Sequence, residues 1–195
     1  MDYGTGDVVQ EPHPGWFSVF LQLMKLRVII LLQVTAVCAI LVHDLVIDLE
    51  RTWMDTLLTV GITVVGGTLS AGGSNAINMW YDADIDPLMR RTKNRPIPQG
   101  HISGGGALLF GVIIAVLGSS LFLLVSWKAA FWSFFSVVFY VFIYSIWLKR
   151  RSPQNIVIGG IAGSTPPLIG WAAAAGDSIL ESVNPMALGS PIPWL

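Results

Sequence analysis

The sequence predicts an all-α fold, a polytopic transmembrane helical bundle with five spans. Of its 195 residues, 53% are hydrophobic and only 12% are charged, against about 25% charged residues in an average soluble domain. The apolar residues also occur in long blocks, each close to the roughly 20 residues that cross a bilayer as a helix. Five such blocks in succession exclude a soluble globular domain. The blocks lie at about 28–47, 55–80, 105–126, 129–148 and 155–176.

The charge of the chain argues against a nucleic-acid-binding protein, and its cysteine content argues against a disulfide-stabilised one. The net charge of −1 gives no basic signature for a nucleic-acid partner, so the expected surroundings are the lipid bilayer. Cys38 is the single cysteine, which excludes an internal disulfide. Because Cys38 lies in an apolar run, we expect it to be a small buried hydrophobic residue.

The segment before the first block resembles neither a signal peptide nor a mitochondrial presequence. Residues 1–16 are acidic and contain proline, whereas a signal peptide begins with basic residues and a mitochondrial presequence is rich in Arg and Ser. We therefore predict an N-terminal tail over 1–16, a single membrane domain over 17–195, and a bacterial inner membrane as the location. In the first helix, Gln33 is expected to hydrogen-bond another helix, and His43 is interpreted as an interfacial residue rather than a haem ligand.

The basic residues predict the orientation. Assigning each Lys and Arg to the gaps between the blocks places nine on one face and two, Arg51 and Lys128, on the other. The positive-inside rule places the face with nine in the cytoplasm. The N-terminus and the gaps after the second and fourth helices are then cytoplasmic.

Small and aromatic residues in the later blocks have packing roles in this interpretation. The segments 70–75 and 159–170 are rich in Gly and Ser, and we expect close helix packing there or a kink at Pro166 and Pro167. No strand–loop–helix pattern accompanies these glycines, so a phosphate-binding loop is not expected. The aromatic side chains of the fourth block are expected to pack, face lipid or line a cavity for an isoprenoid chain; they are Phe139, Tyr140, Tyr144 and Trp147.

The charged stretch at 78–100 follows the second block and reads NMWYDADIDPLMRRTKNRPIPQG. Asn78, Asp82 and Asp86 are spaced i, i+4, i+8, which places them on one broad face of a helix. Asp84 points away from that face. Pro87 predicts that the helix ends near Asp86, because the residue before a proline disfavours the helical region.

The position of these carboxylates predicts a cation. Negative charge at a helix C-terminus is disfavoured by about 0.3–1 kcal/mol each, and like charges at i, i+4 repel. Mg²⁺ suits such oxygen ligands and is commonly shared with substrate phosphates. The four basic residues that follow could hold those phosphates; they are Arg90, Arg91, Lys93 and Arg95. The alternative is a solvated loop in which acids balance bases and the basic residues only fix topology.

These motifs resemble those of the UbiA-type intramembrane prenyltransferases. NMWYDADID matches the N-x-x-x-D-x-x-x-D pattern of that family. Its continuation to residue 100, together with YSIWLKRRSPQNIVIGGIAGSTPPLIGWAAAAG at 144–176, resembles the branch that farnesylates protoheme IX. The start of the first helix, LMKLRVIILLQVTA, is also similar, although Leu26 stands where a proline is common. The resemblance covers 17–176.

The resemblance implies a fold, a reaction and a set of site residues. It implies nine transmembrane helices in a full-length protein, with two aspartate-rich motifs that hold farnesyl diphosphate through Mg²⁺. A vinyl group of haem B, a substrate rather than a cofactor, attacks the farnesyl carbon to give haem O, which a downstream haem A synthase could use. Asn78, Asp82 and Asp86 would bind the metal, with both aspartates catalytic. The diphosphate would be held by Arg90, Arg91, Lys93 and Arg95. No haem-contacting residue is assigned.

One departure and two alternatives accompany this hypothesis. The second aspartate-rich motif of the family follows a sixth helix and is absent from the sequence, so we expect the chain to be the N-terminal part of a longer protein and inactive by itself. A quinone-precursor acceptor is the first alternative. The second is a non-catalytic transporter or scaffold, but a transporter predicts charge near the bilayer midplane, whereas these charges lie at one surface.

Overall fold

This computed structural model describes residues 15–47 and 51–176, and within those ranges every regular element is helical. Six α-helices follow one another along the chain: α1 Trp16–Met24, α2 Leu26–Val46, α3 Trp53–Tyr81, α4 Gly104–Leu121, α5 Trp127–Val138 and α6 Asn155–Ala174. A 3₁₀ turn extends α4 over Phe122–Leu124, and π-helical hydrogen bonding extends α5 over Phe139–Leu148. A second 3₁₀ turn, Asp86–Leu88, follows α3.

The five predicted spans are confirmed. Helices α2, α3, extended α4, extended α5 and α6 are each long and apolar enough to cross a membrane. Their ends differ from the predicted ends by two residues at most. Three of the five begin at a hydroxyl side chain that accepts a backbone N–H in the first turn, the usual N-cap arrangement; these caps are Thr52, Ser103 and Ser126.

Helix α1 was not predicted. It is a nine-residue helix that buries Val19 and Leu23 and leaves Trp16 and Phe17 exposed. It ends at Lys25, whose left-handed backbone (φ 57°) turns the chain directly into α2. Nine residues are too few to span a bilayer, so the search for spans missed it. Most of the predicted tail, residues 1–14, lies outside the described residues.

Glycines bring the helices into close contact, as the small-residue segments predicted. A Cβ at Gly73 on α3 would lie 2.4 Å from the carbonyl oxygen of Gly111 on α4. A Cβ at Gly170 on α6 would lie 2.2 Å from the carbonyl oxygen of Ala36 on α2. At both positions only glycine allows the two backbones to approach this closely. Helix α6 continues through Pro166 and Pro167.

One of the sequence interpretations is wrong about burial. Cys38 is exposed rather than buried, because the whole lipid-facing surface of a membrane helix is apolar and hydrophobicity there does not indicate the core. His43, interpreted as an interfacial residue, lies in the last turn of α2 and packs within the bundle at 5% exposure. Its ring packs edge-on against Trp171, with centroids 4.9 Å apart, and its Nδ1 lies 3.3 Å from Asp44 Oδ1. Gln33 does bond another helix, donating to Thr68 on α3 at 3.5 Å.

Candidate functional site

The acidic motif straddles the end of α3. The helix ends at Tyr81, with Asp82 as its C-cap, and not near Asp86 as predicted. The chain nevertheless keeps a helical turn, because the N–H of Asp82 bonds Asn78 O at 3.1 Å and the N–H of Asp86 bonds Asp82 O at 2.9 Å. Pro87 then falls in the 3₁₀ turn. The i, i+4, i+8 register therefore survives the earlier end of the helix.

Burial separates the three motif residues from the fourth acid. The exposed fractions of Asn78, Asp82 and Asp86 are 3%, 2% and 1%. Asp84 points outward, as predicted, and both of its carboxylate oxygens accept hydrogen bonds from Arg150, at 2.6 and 2.8 Å. Hydrogen bonding to that guanidinium lowers the pKa of Asp84. A buried carboxylate requires an opposite charge or a metal, which makes the partners of Asp82 and Asp86 decisive.

The chain supplies those partners itself. The Nη1 group of Arg95 donates to both carboxylate oxygens of Asp86, at 2.8 and 2.7 Å, in charge-assisted hydrogen bonds. Lys149, just after the π-helical end of α5, donates to Asp82 Oδ2 and also to Asn78 Oδ1 at 3.4 Å. The predicted need for positive charge at this helix end is therefore met by two basic side chains of the described structure.

Lys149 is a site residue that the sequence reasoning missed. It was counted only as a topology signal in the basic run after the fourth block. The π-helical hydrogen bonding of α5 reaches it, since its N–H bonds Tyr144 O at 2.9 Å. The same segment places the Ser145 hydroxyl 3.0 Å from Asn78 Oδ1. π-Helical segments are frequent at functional sites, but no sequence pattern predicted this one.

Lys25 adds a third positive charge near the motif. It ends α1, next to Met24, whose carbonyl accepts a 2.8 Å hydrogen bond from the Asn75 side chain on α3. Burial, together with repulsion from Arg95 and Lys149, lowers the pKa of Lys25 to about 8. The turn from α1 into α2 thus places the Lys25 amine, with its lowered pKa, near the carboxylates of Asp82 and Asp86.

The other predicted phosphate-binding residues lie apart from this cluster. Arg90, Arg91 and Lys93 are exposed, and their side chains form no hydrogen bond or ion pair with another described residue. Of the four predicted basic residues, only Arg95 contacts the aspartates. The structure thus separates one half-buried arginine from three exposed side chains in the same loop.

One ligand atom of the motif is unpaired. Asp82 Oδ1 is buried and has no hydrogen-bond partner among residues 15–47 and 51–176. Together with the amide oxygen of Asn78, it offers the hard oxygen donors that Mg²⁺ prefers, so the residues fit a divalent metal. Over the same ranges, no group of three or more His, Cys, Asp or Glu side chains converges on one point.

A cavity of about 350 Å³ lies within the membrane spans, among α2, α3, α5 and α6. Asn75, Tyr140 and Tyr144 line it near the acidic motif, and Thr63 and Phe122 line it farther along α3 and α4. From Asn75 to Thr63, α3 rises about 18 Å at 1.5 Å per residue. The cavity is therefore an elongated, mostly apolar space that begins one helical turn from Asn78.

Comparison with known proteins gives one family and one fold. Residues 31–195 match the UbiA prenyltransferase family. A protoheme IX farnesyltransferase of Bartonella henselae is 43% identical over 93% of this chain and 56% of its own length. Those of Bartonella bacilliformis and Cereibacter sphaeroides are 47% and 41% identical, over 84% and 93% of the chain and 50% and 56% of their own lengths. The chain spans about half the length of these relatives.

A solved structure shares the fold. The structure of a membrane digeranylgeranylglyceryl phosphate synthase superimposes with a TM-score of 0.68 at 21% sequence identity, over 84% of this chain and 55% of the other. At that identity the similarity extends to the helical arrangement alone.

Proposed function

This chain belongs to the UbiA prenyltransferase family, and from that premise we propose that it forms the prenyl-diphosphate half of a protoheme IX farnesyltransferase. The reaction transfers the farnesyl group of farnesyl diphosphate to a vinyl group of haem B and gives haem O. Relatives named for this reaction are 41–47% identical to the chain. They support this acceptor over the quinone-precursor alternative.

The observation that carries the proposal is the juxtaposition of a buried acidic motif with an apolar cavity. Asn78, Asp82 and Asp86 lie at the C-terminal end of α3. Arg95 and Lys149 form ion pairs with the two aspartates. A transporter or scaffold has no need for such a cluster beside a cavity large enough for an isoprenoid chain. A prenyl diphosphate needs both, because its head is anionic and its tail is apolar.

Asn78, Asp82 and Asp86 would hold Mg²⁺. The metal, when bound, stabilises the negative charge that develops on the departing diphosphate. Asp82 Oδ1 is the atom that the described structure leaves free for it.

The basic residues of the chain have a matching role. Lys149 and Arg95 would turn from the carboxylates to diphosphate oxygens, with Lys25 near them and Arg90, Arg91 and Lys93 recruited from the loop. Charge-assisted hydrogen bonds of this kind strengthen as negative charge accumulates on the leaving group. The allylic C–O bond breaks, diphosphate takes the electron pair, and the farnesyl carbon becomes electrophilic.

The cavity would protect that carbon until the acceptor reacts. Its apolar walls, with Tyr140 and Tyr144 nearest the motif, exclude water from the farnesyl chain. The vinyl group of haem B then supplies the electron pair for the new C–C bond. Water adds to the resulting cation and loses a proton, which gives the hydroxyethylfarnesyl side chain of haem O.

The location and partners are part of the same proposal. The five membrane-crossing helices make the chain a multi-pass membrane protein. We place it in a bacterial inner membrane with its N-terminus and the acidic motif on the cytoplasmic side, following its basic residues. Haem O produced there would be passed to a haem A synthase.

A chimaera tests the proposal. Residues 17–176 of this chain replace the matching half of the Bartonella henselae relative, and membranes containing the chimaera receive farnesyl diphosphate, Mg²⁺ and either haem B or 4-hydroxybenzoate. Haem O, identified by mass spectrometry, is expected from haem B alone. Asp82→Asn with Asp86→Asn should abolish it, while Asp84→Asn, a matched change on the exposed side, should retain most of it. Product from 4-hydroxybenzoate alone would overturn the acceptor assignment, and normal turnover in the double variant would overturn the metal-site assignment.

A further inference from the structure

Some of the polar side chains that line the cavity have hydrogen-bond partners in the protein, and others do not. Five of the serine and threonine hydroxyls that line it have a hydrogen-bond partner in the protein; they belong to Ser70, Ser74, Ser133, Ser136 and Thr165. Two other residues that line the cavity, Gln33 and Thr63, each have a buried side-chain oxygen, Oε1 and Oγ1, without any partner in the described part of the chain. Thr63 is only 1% exposed.

The Gln33 amide is held in place rather than left loose. Its Nε2 donates to Thr68 Oγ1 at 3.5 Å, across to α3. A Cβ at Gly67 would lie 2.5 Å from that nitrogen, so a glycine on α3 leaves the space that the amide occupies. The carbonyl oxygen of Gln33 therefore has a fixed position at the cavity wall while its nitrogen is engaged.

The membrane supplies no partner for these two atoms. Hydrocarbon has no hydrogen-bonding groups, so an unpaired polar atom at this depth is unfavourable unless a ligand completes it. A farnesyl chain is a pure hydrocarbon and cannot do so. Of the described residues that line the cavity, none is charged, so a neutral group suits it better than an anion.

We propose that Gln33 and Thr63 form a recognition point for a neutral hydrogen-bond donor, a hydroxyl or a protonated carboxyl, carried on an apolar ligand. The Gln33 oxygen accepts from the donor, and the Thr63 hydroxyl can donate or accept. Thr68, the partner of Gln33, precedes Asn78 by ten residues on α3, about 15 Å at 1.5 Å per residue. A ligand that reaches both points has one end at the acidic motif and a polar group inside the membrane.

Two sources carry this chemistry. One is the acceptor: if the proposed function is right, on which this assignment rests, the carboxyl side chains of protoheme IX lie on the edge of the macrocycle away from its vinyl groups. The other is an isoprenoid alcohol from the membrane. Protoheme IX dimethyl ester is a matched probe for the first, because it keeps the macrocycle and lacks the donor.

The test measures ligand binding to the chain in lipid nanodiscs through quenching of its eight tryptophans. The probes are protoheme IX, its dimethyl ester and farnesol. Gln33→Leu and Thr63→Val are compared with Gln22→Leu, on exposed α1 surface, and Thr35→Val, on exposed α2 surface. Each cavity variant should weaken protoheme IX binding about fivefold, the effect of one neutral hydrogen bond, and leave the dimethyl ester and both control variants unchanged.

The outcomes separate this proposal from the proposed function. If the cavity variants bind farnesol more weakly and protoheme IX is unaffected or unbound, Gln33 and Thr63 still form a recognition point. The donor is then an isoprenoid alcohol. Unchanged dissociation constants for both donor probes, or no binding of either to the wild type, overturn it whether or not the chimaera makes haem O. Without ligand, Gln33→Leu should melt at or above the wild-type temperature, whereas a purely structural role for Gln33 predicts a lower one.

Discussion

At the scale of single residues, the site is an arrangement of buried opposite charges. Asp82 and Asp86 are each almost fully buried; Lys149 pairs with Asp82, and Arg95 pairs with Asp86 and lies 3.9 Å from Asp82. Buried ion pairs rarely add much stability relative to apolar residues, but removal of one partner leaves a costly unpaired charge. The arrangement therefore makes stability and metal binding interdependent.

Lys149→Gln tests that interdependence. The change should lower the free energy of unfolding by about 3 kcal/mol, the low end for a broken buried pair, because the Lys149 side chain is 26% exposed. Mg²⁺ should recover part of this loss, since a cation can then approach Asp82. Thermal unfolding in detergent with and without Mg²⁺ measures both effects. Arg150→Gln, which breaks the exposed pair to Asp84, is the control and should change little; equal losses in both variants would contradict the prediction.

Lys25 predicts a pH dependence of stability. Its pKa is about 8 in the folded chain and about 10.4 in an unfolded chain. Between those values the unfolded state binds more protons, so this residue contributes stability that increases as the pH rises from about 8 to about 10. Below pH 8 the folded chain holds Lys25 in its charged form, which lowers the free energy of unfolding.

The measurement compares Lys25→Met with the wild type by thermal unfolding at pH 7.5 and pH 9.5. The wild type should gain stability relative to the variant at the higher pH. A difference between the two proteins that does not change with pH would show that the Lys25 amine has an ordinary pKa in the fold.

At the scale of helices, the α3–α4 contact depends on glycine. Gly73→Ala would place a methyl group 2.4 Å from Gly111 O and 2.6 Å from the backbone nitrogen of Ala115. Rigid backbone cannot yield as a side chain can, so we expect a loss of about 1–3 kcal/mol. Gly61→Ala in the same helix is the control, because nothing lies within 4 Å of its Cβ. It should be neutral or stabilising through helix propensity, and equal unfolding midpoints for the two variants would refute the role of close packing.

The elements that the sequence predicted are those with a strong local signal. Long apolar blocks identify membrane helices because hydrocarbon imposes one backbone solution, and the i, i+4, i+8 spacing kept Asn78, Asp82 and Asp86 in register. The end of α3, helix α1 and the π-helical part of α5 were not predicted. Each depends on contacts between helices, such as Ser145 with Asn78 and Asn75 with the carbonyl of Met24, and no window along the chain contains such contacts.

At the scale of the whole molecule, the same limit explains which site residues were found. Arg95 and the three motif residues lie within 18 positions of one another, so one sequence stretch contains them. Lys149 lies 67 residues from Asp82 and reaches it only because α5 packs beside α3. The sequence predicted that a metal would neutralise the motif, because Lys149, which pairs with Asp82, lies far from the motif along the chain.

At the opposite end of the bundle, hydrogen bonds from Arg51 connect three helices. We expect the loss of these bonds to lower stability without changing ligand binding at the acidic motif. Arg51 donates to Asp44 Oδ1 on α2 and to Ala174 O on α6, each at 2.9 Å, and also to Asp55 O on α3 at 3.3 Å. Arg51→Gln should therefore loosen three helices and leave the Asp44 carboxylate with only its contacts to Thr56 and His43, a loss of about 1.5–3 kcal/mol for a hydrogen bond to a charged group. The acidic motif lies at the far end of α3, about 40 Å away for its 29 residues.

Mg²⁺-dependent binding of a non-hydrolysable farnesyl diphosphate analogue should thus be nearly unchanged in Arg51→Gln at a temperature where the variant is folded. Arg27→Gln, at an exposed position, controls for the loss of an arginine and should affect neither property. A fall in analogue affinity that matches the fall in stability would show that the two ends of α3 respond as one unit. Unchanged affinity would show that the motif, with Arg95 and Lys149, is organised locally.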